Sequence, residues 1–102
     1  MPKLAIVVPH ELSEEEALGR IKNLLSEMKT RYATSFSDLE ERWSGNEGRF
    51  SVKAMGFRVA GGVAVRPAEV AIDADLPMAA TPFKGRVEQL IRSQAEQLLA
   101  RR

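Results

Sequence analysis

Phe50-Ser51-Val52-Lys53-Ala54-Met55-Gly56-Phe57-Arg58-Val59-Ala60 decides the fold. Apolar side chains fall on every second position up to Ala54, Gly56 marks a turn, and Phe57, Val59, Val63 and Val65 resume the same alternation. A period of two is the signature of strands with one buried face. Closing the turn at Met55-Gly56 sets Ala54 opposite Phe57, Val52 opposite Val59 and Phe50 opposite Gly61, a large residue against a small one. Closing the next turn at Pro67-Ala68 sets Val65 against Val70, Val63 against Ile72 and Arg66 against Glu69. A slip of one residue would send every apolar side chain to the wrong face, so the agreement of both pairings supports the register. The opposite face then carries Arg49, Lys53, Arg58, Arg66, Glu69, Asp73 and Asp75 with small Ala and Gly residues between them. Such a mixed-charge surface is expected to be wet, and the other face to be covered by helices.

Working outward, Leu39 to Trp43 reads as the preceding strand, turning through Ser44-Gly45-Asn46-Glu47-Gly48, and Val70, Ile72, Ala74 and Leu76 form the last. Gly61-Gly62 in mid-strand predicts a bend, a bulge or the close approach of a neighbour. At the N-terminus Leu4 to Val8, bounded by Pro2 and Pro9, reads as a first strand, and its continuous apolarity predicts cover on much of both faces. Ser13 followed by Glu14, Glu15 and Glu16 is a capping box with carboxylates at the positive helix end. Behind it Ala17, Ile21, Leu24, Leu25, Met28 and Tyr32 make one stripe of a helix expected to end near Tyr32 or Ala33. After Leu76-Pro77 a last helix carries Phe83, Val87, Leu90, Ile91 and Leu98 on its apolar stripe, with an irregular first turn because Pro82 lies close by.

The order is therefore β-α-β-β-β-β-α. A right-handed crossover makes the first and second strands parallel, and the meander returns its last strand beside the first. The expected architecture is a single α+β domain over residues 1–102: a two-layer sandwich whose mostly antiparallel five-stranded sheet has order 1-5-4-3-2, both helices on one face, resembling a reduced helix-grip domain.

With 102 residues the chain can bury one core without staples. Lys and Arg number 15 against 14 Asp and Glu, which leaves no electrostatic footprint for nucleic acid or an anionic membrane. Arg101 and Arg102 follow a helix end, where cations are favoured. The chain has no cysteine, hence no disulfide, thiolate metal site or thiol nucleophile, and no segment approaches the ~20 apolar residues of a membrane span. A soluble, cytoplasmic protein is expected; its oligomeric state is left open.

Candidate chemistry is sparse. The single histidine, His10, stands beside Pro9 in a loop with no second ligand for a metal. Ser44 lacks a nucleophile-elbow setting, and Gly56, Gly61 and Gly62 lack the Lys-Ser/Thr of a phosphate loop. Asp73 and Asp75, near Arg58 and Arg66, read as an ion-pair surface. Glu41 shares a strand face with Leu39 and Trp43, and Gln94 falls near the centre of the last helix's stripe. Either can line a cavity; the structural alternative is an inward charge guarding an edge strand, and a glutamine beyond the sheet's cover. Trp43 is expected in the core.

Taken together, His10-x-Leu12 before Glu15-Glu16-Ala17, Arg20 and Ile21 in the first helix, Trp43-x-Gly45 before Phe50, Gly61 or Gly62 before Val65, and Leu76-Pro77 ahead of Phe83 resemble the polyhydroxyalkanoic acid system family of small bacterial proteins, found in connection with polyhydroxyalkanoate granules. The resemblance implies a non-enzymatic accessory protein acting through protein or granule contacts, with no cofactor. The alternative is a module for a small apolar, acyl- or lipid-like ligand, held in a cavity between the C-terminal helix and the sheet. Trp43, Phe50, Phe57 and Gln94 would line that cavity, with Gly61-Gly62 thinning the sheet. An enzyme is the third reading and the least supported.

Overall fold

The computed structural model describes residues 3–31, 36–54 and 56–100. Along the chain come β1 (Lys3–Pro9), α1 (Glu14–Arg31), β2 (Phe36–Ser44), β3 (Glu47–Ala54), β4 (Phe57–Val65), β5 (Glu69–Asp75), a 3-10 helix (Met78–Phe83) and α2 (Lys84–Leu98). The expected end of α1 at Tyr32 or Ala33, Pro2, Met55, Arg101 and Arg102 lie outside the described residues, as does the side chain of Met28. The five strands form one sheet in the order β1-β5-β4-β3-β2, every neighbouring pair antiparallel. Ala54 faces Phe57, Val52 faces Val59 and Phe50 faces Gly61, while Val65 faces Val70 and Val63 faces Ile72, the registers expected from alternation.

Local chemistry explains the turns. Ser13 Oγ accepts the Glu16 amide at 3.0 Å, so α1 starts at the expected cap. Between β2 and β3 the connection is two residues, with Gly45 at φ 61° in its first central position, the conformation a type II′ hairpin demands of that residue. Asn46 then extends the neighbouring ladder: its carbonyl accepts the Val65 amide at 2.9 Å, and its side-chain amide donates to the Val65 carbonyl. β2 begins earlier than Leu39 and shifts register between Ser37 and Glu40, with Asp38 at φ 54°. A bulge of this kind twists an edge strand and discourages pairing with another chain.

Both helices cover the same sheet face. Ile6 and Val8 of β1, Val65 of β4 and Val70 of β5 pack with Ala17 and Ile21 of α1 and with Ala95 and Leu99. A second cluster joins Leu4, Ala74, Leu76 and Ala80, with Phe57, Val59 and Val87 packed against it and Ile91 shared by both clusters. Two expectations need correction. β1 is not covered on both faces: it is an edge strand that buries Leu4, Ile6 and Val8 and turns Lys3, Ala5, Val7 and Pro9 outward. The stripe of α2 is also rotated. Val87, Ile91, Ala95, Leu98 and Leu99 face the sheet, whereas Phe83 and Leu90 are 48% and 56% exposed. Phe83 closes the 3-10 helix and does not share the phase of α2, and Ala95, small enough to let the helix approach, takes the innermost position.

Candidate functional site

The sequence-predicted lining does not converge. Trp43 and Phe50 are half-buried against the first core cluster, and Phe57 packs on the second. Gln94 is exposed on the outer side of α2, a consequence of the helix's rotation. Gly61 opens no space either. A Cβ there would lie 2.0 Å from the Asp73 carbonyl oxygen and 2.8 Å from Ala74 Cα, so the room a side chain would need is taken by the β5 backbone. The expected cavity between sheet and C-terminal helix is thus not formed by these residues: its proposed walls serve two separate clusters and the solvent.

Polar residues singled out by sequence hold the framework together. His10 is 8% exposed, not a free loop residue. Its Nδ1 accepts the Leu12 amide at 3.1 Å, which assigns the proton to Nε2, and Nε2 donates to the Arg66 carbonyl at 2.9 Å. The His10 amide donates to the Ala68 carbonyl at 2.9 Å, so the ring and its own backbone bolt the β1–α1 junction to the β4–β5 turn. Arg20 does the same for the helices. Its Nη1 donates to the carbonyls of Leu98 and Ala100, both at 2.9 Å, satisfying the open end of α2, while Nη2 pairs with Glu16 Oε2 at 2.7 Å. Glu41 Oε1 accepts the Trp43 indole N–H at 2.8 Å. Lys22 Nζ lies 5.2 Å from the Trp43 centroid, within range of a cation–π contact, and the indole covers Gly48, where a Cβ would stand 2.7 Å from three ring carbons.

Surface shape directs attention elsewhere. A depression of about 440 Å³ lies on the open face of the sheet, floored by residues such as Ala5, Gly62, Ala64 and Ala71 and edged by Arg42 and Arg49. The second exposed feature is apolar: Met78 is 72% exposed and Phe83 is also exposed in the 3-10 helix, and Leu90 is exposed on α2. Hydrophobicity alone assigns Phe83 and Leu90 to the core. Seven-residue spacing does not separate them, since Val87 and Gln94 are also seven apart; the sequence carries no clear signal that Leu90 lies outside the core. Among the described residues no group of His, Asp and Glu is placed to hold a metal ion, and no helix is long and apolar enough to cross a membrane.

Residues 4–99 match the protein family described as "Putative polyhydroxyalkanoic acid system protein". No curated protein matches the chain. Among solved structures, the crystal structure of TTHA0849 from Thermus thermophilus is similar, at 18% identity and a TM-score of 0.48, over 96% of this chain and 92% of that one.

Proposed function

The chain belongs to the polyhydroxyalkanoic acid system family, and from that premise we propose that it is a non-enzymatic accessory protein of polyhydroxyalkanoate storage, acting in the cytoplasm through protein or granule contacts. The observation that carries this reading is the outward apolar side of the 3-10 helix and α2. A single exposed apolar residue needs no explanation. Phe83 at the end of the 3-10 helix and Leu90 in α2, however, are both exposed and contribute nothing to either core cluster, and Met78 precedes them at 72% exposure. Exposed apolar residues gathered along one helical segment are what such a segment offers to an apolar groove or surface. The engagement of His10, Arg20 and Glu41 with backbone and indole partners supports a framework role for the polar residues, not turnover.

Granule sedimentation tests the proposal. The wild-type chain is expected to pellet with polyhydroxyalkanoate granules that retain their surface proteins, and the Phe83→Ser/Leu90→Ser variant, folded by circular dichroism, to stay in the supernatant. Equal pelleting of both would remove α2 from the reading. A wild-type chain that never pellets would remove granule contact itself.

A further inference from the structure

We propose that the open face of the sheet is a self-complementary surface that takes a second copy of this chain, packed sheet to sheet about a two-fold axis running along β4. β4 is the central strand, so that rotation exchanges β5 with β3 and β1 with β2. The registers place Ala5, Asp73, Gly62, Arg49 and Arg42 in one row across the five strands. Reversing this row over itself sets Asp73 of each copy on Arg49 of the other, with Gly62 over Gly62 at the centre. The next row runs Lys3, Asp75, Ala60, Ser51 and Glu40. Reversal there sets Lys3 on Glu40 and Asp75 on Ser51. Opposite charges at positions that the axis exchanges, Asp73 with Arg49 and Lys3 with Glu40, are the pattern an isologous contact requires, and Glu47 of β3 falls on Ala71.

The shape agrees with the charge. Along the axis the middle of β4 presents Ala60, Gly62 and Ala64, flanked by Arg58 and Arg66, and Ala71 stands beside them on β5, so the centre of the face offers small residues for the ~10 Å approach of packed sheets. Asp73 and Arg49 lean toward that axis: a Cβ built on Gly62 would lie 2.9 Å from Asp73 Oδ1 and 3.4 Å from Arg49 Nη1. Arg58, which would otherwise meet its own copy on β4, is drawn aside by Ser51 Oγ at 2.7 Å and Asp38 at 3.8 Å, and Arg66 is paired with Glu69 at 2.8 Å. Five strands about 4.8 Å apart with a rise of about 3.3 Å per residue make the face roughly 24 Å square, on the order of 550 Å² per partner. The total just clears the ~1,000 Å² of a specific interface, which points to a reversible dimer and not a permanent one. This surface is separate from the side of α2 invoked above, so the two proposals stand or fall independently.

Sedimentation velocity over a concentration series tests the proposal. Wild type is expected to shift from monomer to dimer with rising concentration, less so at high salt. Arg49→Asp and Asp73→Arg, each at an exposed position, are expected to remain monomeric alone, because like charges then meet twice across the axis. Mixed in equal amounts they are expected to dimerise, since both contacts become opposite in sign again. Rearrangement within one chain cannot produce that rescue. A wild type that stays monomeric at its highest soluble concentration overturns the proposal, as do single variants that dimerise like wild type or a mixture that remains monomeric.

Discussion

Arg20 illustrates how much of this fold depends on side chains that hold backbone. One guanidinium joins the first turns of α1 to the last carbonyls of α2, nearly the whole sequence apart. Charge-assisted bonds to otherwise open carbonyls are worth more than neutral ones, and with the side chain 27% exposed we expect Arg20→Ala to cost about 1–2 kcal/mol in urea unfolding. Arg20→Lys should recover little of it, because a single ammonium cannot fork between two carbonyls and Glu16. His10→Ala strands the Arg66 carbonyl and the Leu12 amide together and is expected to cost about 1–3 kcal/mol, with amide exchange accelerated at Leu12. Trp43 also acts through packing on backbone. Because the indole is half-buried and lies on Gly48, Trp43→Ala is expected to cost less than the ~3–5 kcal/mol of a fully buried aromatic, about 2–3 kcal/mol. Gly48→Ala must push the ring from its seat between Glu41 and Lys22, so a red shift of Trp43 emission should accompany any loss of stability. Unshifted emission would show that the ring does not need the space above Gly48.

Among the elements, the meander and the last helix with its irregular start are legible in the sequence, whereas the face that helix turns to the sheet is not, for physical reasons. Gly56 and Pro67 locate the turns, and period-two alternation on both sides admits a single register, so β3, β4 and β5 pair as the residues require. α2 gives a misleading phase because Phe83, a large apolar residue next to the helix, belongs to the 3-10 turn, while Ala95, which lies deepest, carries little hydrophobic weight. His10 is a loop residue, as the sequence indicates, but its burial is not legible there because its partners at Arg66 and Ala68 are far away along the chain and leave no local trace. The bulge in β2 and the close approach at Gly61 are equally invisible in detail, being properties of paired backbones. The paired glycines of β4 make this testable. Gly61→Ala would drive a Cβ into the β5 backbone and should prevent normal folding, whereas at Gly62 the nearest atom belongs to the flexible Asp73 side chain, so Gly62→Ala should fold with only a modest loss. Thermal unfolding of the two variants decides it; equal stability would mean that the β4–β5 approach is looser than described.

As a whole molecule the protein is two layers with unlike surfaces. The helix layer ends in an apolar flank at Met78, Phe83 and Leu90, and the sheet layer presents a small-residue floor between acidic and basic strands. The chain belongs to the polyhydroxyalkanoic acid system family, and the apolar flank is the surface proposed above for protein or granule contacts. The cavity expected for an acyl ligand has no counterpart among the residues proposed to line it, since Trp43, Phe50, Phe57 and Gln94 are distributed over two clusters and the outer side of α2. Titration with 3-hydroxyacyl compounds or fatty acids should therefore leave Trp43 fluorescence unchanged. The most direct measurement of the central claim is hydroxyl-radical footprinting of the wild-type chain, free and bound to granules. Oxidation of Met78, Phe83 and Leu90 is predicted to fall several-fold on binding, while that of exposed residues away from α2 does not. Bound protein whose Met78, Phe83 and Leu90 remain as reactive as in solution would contradict it.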